Sequence, residues 1–157
     1  MGSCISHQES PAVALQTGLA AASYKSTVPF VPDFTRAKVV KVTDGDTVWV
    51  AAYQNGKLNR WSTRIYGIDT MELKSSDPVN KQNAIRAKEY LTNLIMDQTV
   101  DIQILTGTFD EKQRRTIWDK NGRLIAHVQY QGKDIATELI NQKLAYPYFG
   151  GTKKKKL

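Results

Sequence analysis

From residue 36 onward the chain is built from short runs in which apolar and polar side chains alternate. RAKVVKV (36–42) and TVWVAAY (47–53) are two such runs, and the Asp44-Gly45 pair between them is a hairpin signal. Asn55-Gly56 marks a second turn, and LNRWSTRIYGI (58–68) reads as a third strand. Asp77-Pro78 supplies an N-cap followed by proline at the first helical position. From there to about Asp97, residues Ala84, Ile85, Ala87, Leu91, Leu94 and Ile95 recur at helical spacing, with Lys88 at the edge of the stripe. TVDIQIL (99–105) and RLIAHVQY (123–130) return to a period of two, on either side of a charged loop (106–116) and a tight Asn121-Gly122 turn. Gln131-Gly132 turns the chain again, and Asp134 can cap a short helix to about Lys143.

Residues 1–35 break this rhythm and read as a leader, with Pro11, Pro29 and Pro32 and no sustained period. AVALQTGLAAAS (12–23) is interrupted by Gln16 and Thr17, and no basic residue precedes it, so a secretory signal is not expected; a short leader helix is allowed. The domain proper is expected over 36–149, and 150–157 as a basic, disordered tail. The order is three strands, a helix, two strands, a helix. Five short antiparallel strands lose their exposed edges by closing into a small Greek-key barrel. The expected fold is therefore mainly β with helices (α+β), an OB-fold five-stranded barrel with two helices, a frame often used to hold oligonucleotides.

Composition narrows the chemistry. The 157 residues suit one domain, and 41% are hydrophobic, enough for a core. No apolar run approaches the roughly 20 residues of a membrane-spanning helix. The net charge is +7, but Lys153 to Lys156 supply four of those charges, so the pull toward a polyanionic partner is weak. The single cysteine, Cys4, excludes an internal disulfide, and two histidines, His7 and His127, cannot build a His/Cys zinc site. Catalysis here has to run on carboxylates, arginines and a hard metal ion.

Asp46 is the residue that the hairpin does not explain. It is expected on the first position of the second strand, where acids are disfavoured. The third strand ends in RIYGIDTME (64–72) with another acid, Asp69, followed by Thr70 and Glu72. A barrel can bring the start of its second strand close to the end of its third. Two carboxylates so placed repel, and a divalent cation between them, Ca²⁺ or Mg²⁺, removes the conflict. Glu72 could hold a water instead of the metal. Arg64 and Arg123 add planar, permanently charged forks suited to phosphate. A metal, a water-activating acid and two arginines make a phosphodiester hydrolysis site.

TDGDTVWV, RIYGIDTMEL, DKNGRLIAHV and ELINQKLAYPY, in this order, resemble the staphylococcal nuclease (thermonuclease) family over about residues 36–149. The resemblance implies an OB barrel, Ca²⁺ as cofactor, and endonucleolytic cleavage of DNA and RNA to 3′-phosphate products, with single strands preferred, by a monomer. It implies Asp46 and Asp69 as metal carboxylates, Thr70 as a backbone-carbonyl ligand, and Glu72 as the general base. It implies Arg64 and Arg123 as catalytic arginines, with Asp44 and Lys120 in accessory positions. Tyr146 and Tyr148 are candidates for base stacking. Met71 stands where the family commonly has proline, and Asn121 where its best-known member has a nucleotide-contacting tyrosine. Two rival readings keep the fold without the chemistry: a nucleic-acid-binding module, and a membrane-associated interaction protein.

The opening MGSCIS fits N-myristoylation, with Gly2 exposed after loss of Met1 and Ser6 at the favoured position; Cys4 beside it suits palmitoylation. One myristoyl chain binds membranes only marginally, so a second signal is required: Cys4, or Lys153 to Lys156 against anionic lipid. The expectation is a lipid-anchored protein facing the cytoplasm of a eukaryotic or virus-infected cell, and a cytoplasmic one if unmodified.

Overall fold

The computed structural model describes residues 11–27, 30–105 and 118–150. Gly2, Cys4, the charged loop 106–116 and the lysine run all lie outside these residues. The chain forms two compact units, Met1–Val31 and Pro32–Leu157. The first contains α1 (Pro11–Ala21), which leaves Leu15 and Leu19 exposed.

The second unit begins its regular structure with β1 (Arg36–Asp44), β2 (Thr47–Gln54) and β3 (Lys57–Ile65). In the second turn Asn55 and Gly56 both take positive φ, 52° and 74°, as a two-residue hairpin turn requires. The expected third strand is broken. Gly67, at φ 86°, turns the backbone into the left-handed region, so β3 stops at Ile65 and a separate β4 (Gly67–Asp69) follows. Helix α2 (Pro78–Ile95) starts where Asp77 accepts a hydrogen bond from the Val79 amide at 2.9 Å, and buries Ala84, Ala87, Leu91 and Ile95. After it come β5 (Thr99–Ile104), β6 (Leu124–Tyr130), a two-residue β7 (Lys133–Asp134), α3 (Ile135–Asn141) and β8 (Tyr146–Tyr148).

The sheet order is β3-β2-β1-β5-β6, and β3 pairs again with β6, closing a five-stranded barrel. Closure differs from the expected all-antiparallel pattern in one respect. β3 and β6 run parallel, with Thr63 opposite Leu124 and Ile65 opposite Ala126, so the barrel is mixed. A parallel pair needs a long crossover rather than a hairpin, and α2 with β5 provides one. The core is what alternation dictates: Val39, Val48, Val50, Ile65, Val100 and Val128 point inward and meet Leu91 and Ile95 of α2. Burial of each such side chain contributes about 1.5–3 kcal/mol. The two barrel-unit helices match the two expected, and α1 makes a third among the described residues. β7 and β8 were not legible as strands. β8 exists because it pairs with β4, placing Gly67 opposite Tyr148 and Asp69 opposite Tyr146.

Candidate active site

The β1–β2 turn is shaped by a close approach. Gly45 is not among the glycines with positive φ, so backbone freedom is not its role. A Cβ there would lie 2.7 Å from the Ala87 Cβ and 2.9 Å from the Thr70 Cγ2. The turn thus seats itself on α2 and on the segment after β4. Asp46 lies within this turn, and β2 begins one residue later at Thr47, which corrects its expected place at the head of the strand. An acid in a turn needs no special excuse from strand propensity; its burial does. Asp46 is only 4% exposed, and so is Asp69 at the end of β4.

Arg64, near the end of β3, lies between these two acids. Its Nη2 is 3.0 Å from Asp46 Oδ2 and 3.1 Å from Asp69 Oδ1, and it also donates to the Ile68 carbonyl at 3.2 Å. The carboxylates therefore share a cationic partner, Arg64, which the sequence pattern pointed toward phosphate. The contacts all use Nη2, so they do not consume the Nε and Nη1 protons of the fork. Burial pushes Asp46 up to about 6, outweighing the opposing pull of Arg64, and Asp44 adds to the rise by charge and hydrogen bonding. On Arg64, burial favours loss of the proton, but Asp46 and Asp69 more than offset it and the pKa is raised, so the guanidinium stays charged.

Arg123 is held by a residue that the sequence reading passed over. Its Nε donates to Asp119 Oδ2 at 2.7 Å, and Asp119 Oδ1 accepts from the Asn121 and Arg123 amides at 2.8 and 2.9 Å. Burial works against the Asp119 carboxylate, but these donors outweigh it and hold its pKa below the usual range. Arg123 Nη1 then donates to Thr47 Oγ1 at 2.8 Å, and Thr47 Oγ1 donates to Asp46 Oδ1 at 2.8 Å. Thr47 thereby links the second arginine to the first carboxylate. The signal for Asp119 was the Asx-turn spacing D-K-N-G-R; for Thr47 there was none beyond its place next to Asp46.

The two carboxylates, the two arginines and Asp119 line one cleft of about 770 Å³, with Thr47 buried behind it. Asp46, Arg64, Asp69, Thr70, Glu72, Lys120, Arg123 and Tyr148 open onto it, with Asp44 at its edge. Glu72 and Lys120 are exposed, while Thr70 is buried. Tyr148 puts its ring 5.8 Å from the Arg64 guanidinium carbon. Tyr146, by contrast, is not among the lining residues: β8 sets it opposite Asp69, 42% exposed. Met71, in the position of the family's proline, is buried. Among the described residues no group of three or more His, Cys, Asp or Glu side chains stands at metal-binding spacing. Asp46 and Asp69 offer oxygen donors only, and Thr70 follows Asp69 in the same cleft. Two nearly buried carboxylates that both lie within about 3 Å of one nitrogen have the donor chemistry of a hard divalent cation, although in this structure Arg64 balances their charge.

Among curated proteins, an uncharacterised protein of Methanocaldococcus jannaschii is similar, 29% identical over 144 aligned residues. The match covers 80% of this chain and 64% of that protein's own length. The family model described as staphylococcal nuclease homologue matches residues 62–157, more than half of the chain. The matched segment carries Arg64, Asp69, Glu72 and Arg123, while the turn that bears Asp46 precedes it. The chain belongs to the staphylococcal nuclease homologue family.

Proposed function

We propose that this protein is a Ca²⁺-dependent endonuclease that hydrolyses phosphodiester bonds of DNA and RNA. The reading rests on one observation: two buried carboxylates, two arginines and an exposed glutamate from β1–β2, β3, β4 and the approach to β6 share a single cleft. Asp46, Asp69 and the Thr70 carbonyl would hold Ca²⁺, which when bound supplies positive charge beside the phosphoryl oxygens. Glu72, on the rim, orients a water and takes its proton as the oxygen attacks phosphorus; the P–O5′ bond breaks, the 5′-oxygen leaves and takes a proton from solvent, and the phosphate stays on the 3′ side. Arg123, pinned by Asp119, offers its guanidinium to the charge that builds on the phosphoryl oxygens. Arg64 does the same with the Nε and Nη1 side of its fork while Nη2 stays with the carboxylates. Tyr148 gives a base a face to stack on, and Lys120 a charge for a neighbouring phosphate.

The test is a gel assay of the purified chain on plasmid and on single-stranded DNA, with Ca²⁺ or with EDTA. Cleavage that requires Ca²⁺ and disappears in Asp46→Ala and Asp69→Ala is expected. Full activity in EDTA would overturn the metal assignment. Nucleic-acid binding without cleavage would favour a binding module, held together by its own Asp46–Arg64–Asp69 cluster.

A separate proposal concerns location and rests on MGSCIS alone. Gly2 carries a myristoyl group and Cys4 a palmitoyl group, anchoring the protein to a cytoplasmic membrane face. In a eukaryotic cell, Gly2→Ala should release the protein to the soluble fraction. Cys4→Ser should leave salt-sensitive binding. Mass spectrometry showing an unmodified N-terminus would remove the anchor.

A further inference from the structure

The face of the β2–β3 hairpin that carries the site does not end at the cleft. In the β2–β3 register Thr47 lies opposite Arg64, Trp49 opposite Ser62, Ala51 opposite Arg60 and Tyr53 opposite Leu58. Alternation puts these pairs on one side of the sheet, while Val48, Val50 and Ala52 fill the core on the other. Arg64, which lines the cleft, is thus the first step of a row, with the buried Thr47 opposite it. The next steps are a half-buried Trp49 with the Arg60 guanidinium 5.6 Å over its ring, and then Tyr53, 73% exposed. Lys41 of β1 lies opposite Trp49 and widens the same row. Residues 47–65 contain Lys57, Arg60 and Arg64 and no acid. Cleft and row therefore present one continuous series: Arg64 with Tyr148, Arg60 with Trp49, then Tyr53. From Arg64 to Leu58 the strand covers about 20 Å at about 3.3 Å per residue. That is the length of about six stacked nucleotides at about 3.4 Å each.

We infer that the Trp49–Arg60–Tyr53 face is an extended subsite for single-stranded nucleic acid, holding the nucleotides that run on from the bond in the cleft. Aromatic faces that stack bases, interleaved with cations that follow phosphates, are what a single strand needs, and neither requires sequence readout. A duplex hides its bases and gains nothing from the rings. The inference rests on the nuclease reading for why a strand enters the cleft, but the surface binds whether or not the cleft cuts.

The test measures binding in EDTA, by anisotropy of labelled oligo-dT of 2 and 12 nucleotides, using the full chain and its variants Trp49→Ala/Tyr53→Ala and Arg60→Gln. Stacking losses predict that the double variant binds the 12-mer at least tenfold more weakly. Arg60→Gln should lower the slope of log affinity against log salt by about 0.7, one phosphate contact's worth on a single strand. Binding of the 2-mer should not change in either. Unchanged 12-mer binding in both variants would overturn the inference, as would equal loss on both lengths, which would mean that the cleft itself was disturbed. A protein that cuts yet ignores these substitutions loses only the subsite. One that binds with this length dependence yet never cuts loses only the nuclease.

Discussion

At the scale of single residues, the site depends on side chains that hold other side chains. Glu72 is the exposed acid of the cleft. Glu72→Gln keeps the shape and removes the negative charge, so kcat should fall about 10²–10⁴-fold with an unchanged melting curve; a rate within a few-fold of wild type would mean that Glu72 is not the base. Asp119 acts through Arg123. Asp119→Asn keeps one acceptor for the amides but loses the charge facing the guanidinium, and a misplaced arginine costs about 10²-fold in rate. The same change has a pH signature. A carboxylate whose pKa is depressed on folding adds stability above its unfolded value, about 3.9, and loses it as pH falls through the folded one. Acid denaturation followed by circular dichroism should therefore show a shallower fall in stability below about pH 4 for Asp119→Asn than for the wild type.

At the scale of elements, the two hairpin turns look alike in sequence and differ in cause. Asn55-Gly56 is a turn of backbone conformation, and its dipeptide announced it. Gly45 is a turn of contact, pressed on Ala87 and Thr70, which lie 42 and 25 positions further along the chain. Gly45→Ala should thus cost about 1–3 kcal/mol by overpacking. It should also lower activity beyond what stability explains, because Asp44 and Asp46 flank it; denaturant melts and specific activity measured on the same sample separate the two. The local signals of capping, alternation and Asn-Gly turns made β1, β2, α2, β5, β6 and α3 readable. They could not reveal what depends on partners. The parallel β3–β6 closure is a long-range pairing, β8 is three residues that become a strand only against β4, and the break at Gly67 resembles an ordinary strand glycine. In the cleft, the identities of the acids and arginines were readable, whereas the Thr47 bridge, the Asp119 clamp and the separation of Tyr146 from Tyr148 depend on register.

At the scale of the whole molecule, the proposed cation would tie the β1–β2 turn to the end of β4. Anything that binds only the folded state stabilises it by mass action, about 2.7 kcal/mol at a hundred times Kd. Thermal melts with increasing Ca²⁺ should rise in the wild type and stay flat in Asp69→Asn; a flat wild-type series would argue against a cation at these acids. The net charge of +7 makes nucleic-acid binding salt-dependent, but a share of it lies in Lys153 to Lys156. Removing those four lysines should weaken binding to all nucleic acids evenly at low salt and leave kcat unchanged.

The hydrogen bond from Arg123 to Thr47 spans 76 positions of sequence and exists only once β6 has closed against β3. A chain that has emerged only as far as β5 already carries Asp46, Arg64, Asp69 and Glu72, yet has no Arg123. If the protein cleaves RNA as proposed, a chain at that stage would lack one of the two arginines that meet the phosphate, and its cleavage should be weak until β6 is added. Long-range closures are also the slow part of folding. In refolding from denaturant, cleavage should therefore return with the last kinetic phase, after far-UV circular dichroism has recovered most of its signal. Activity appearing in the earliest phase would mean that the cleft works before the barrel is shut.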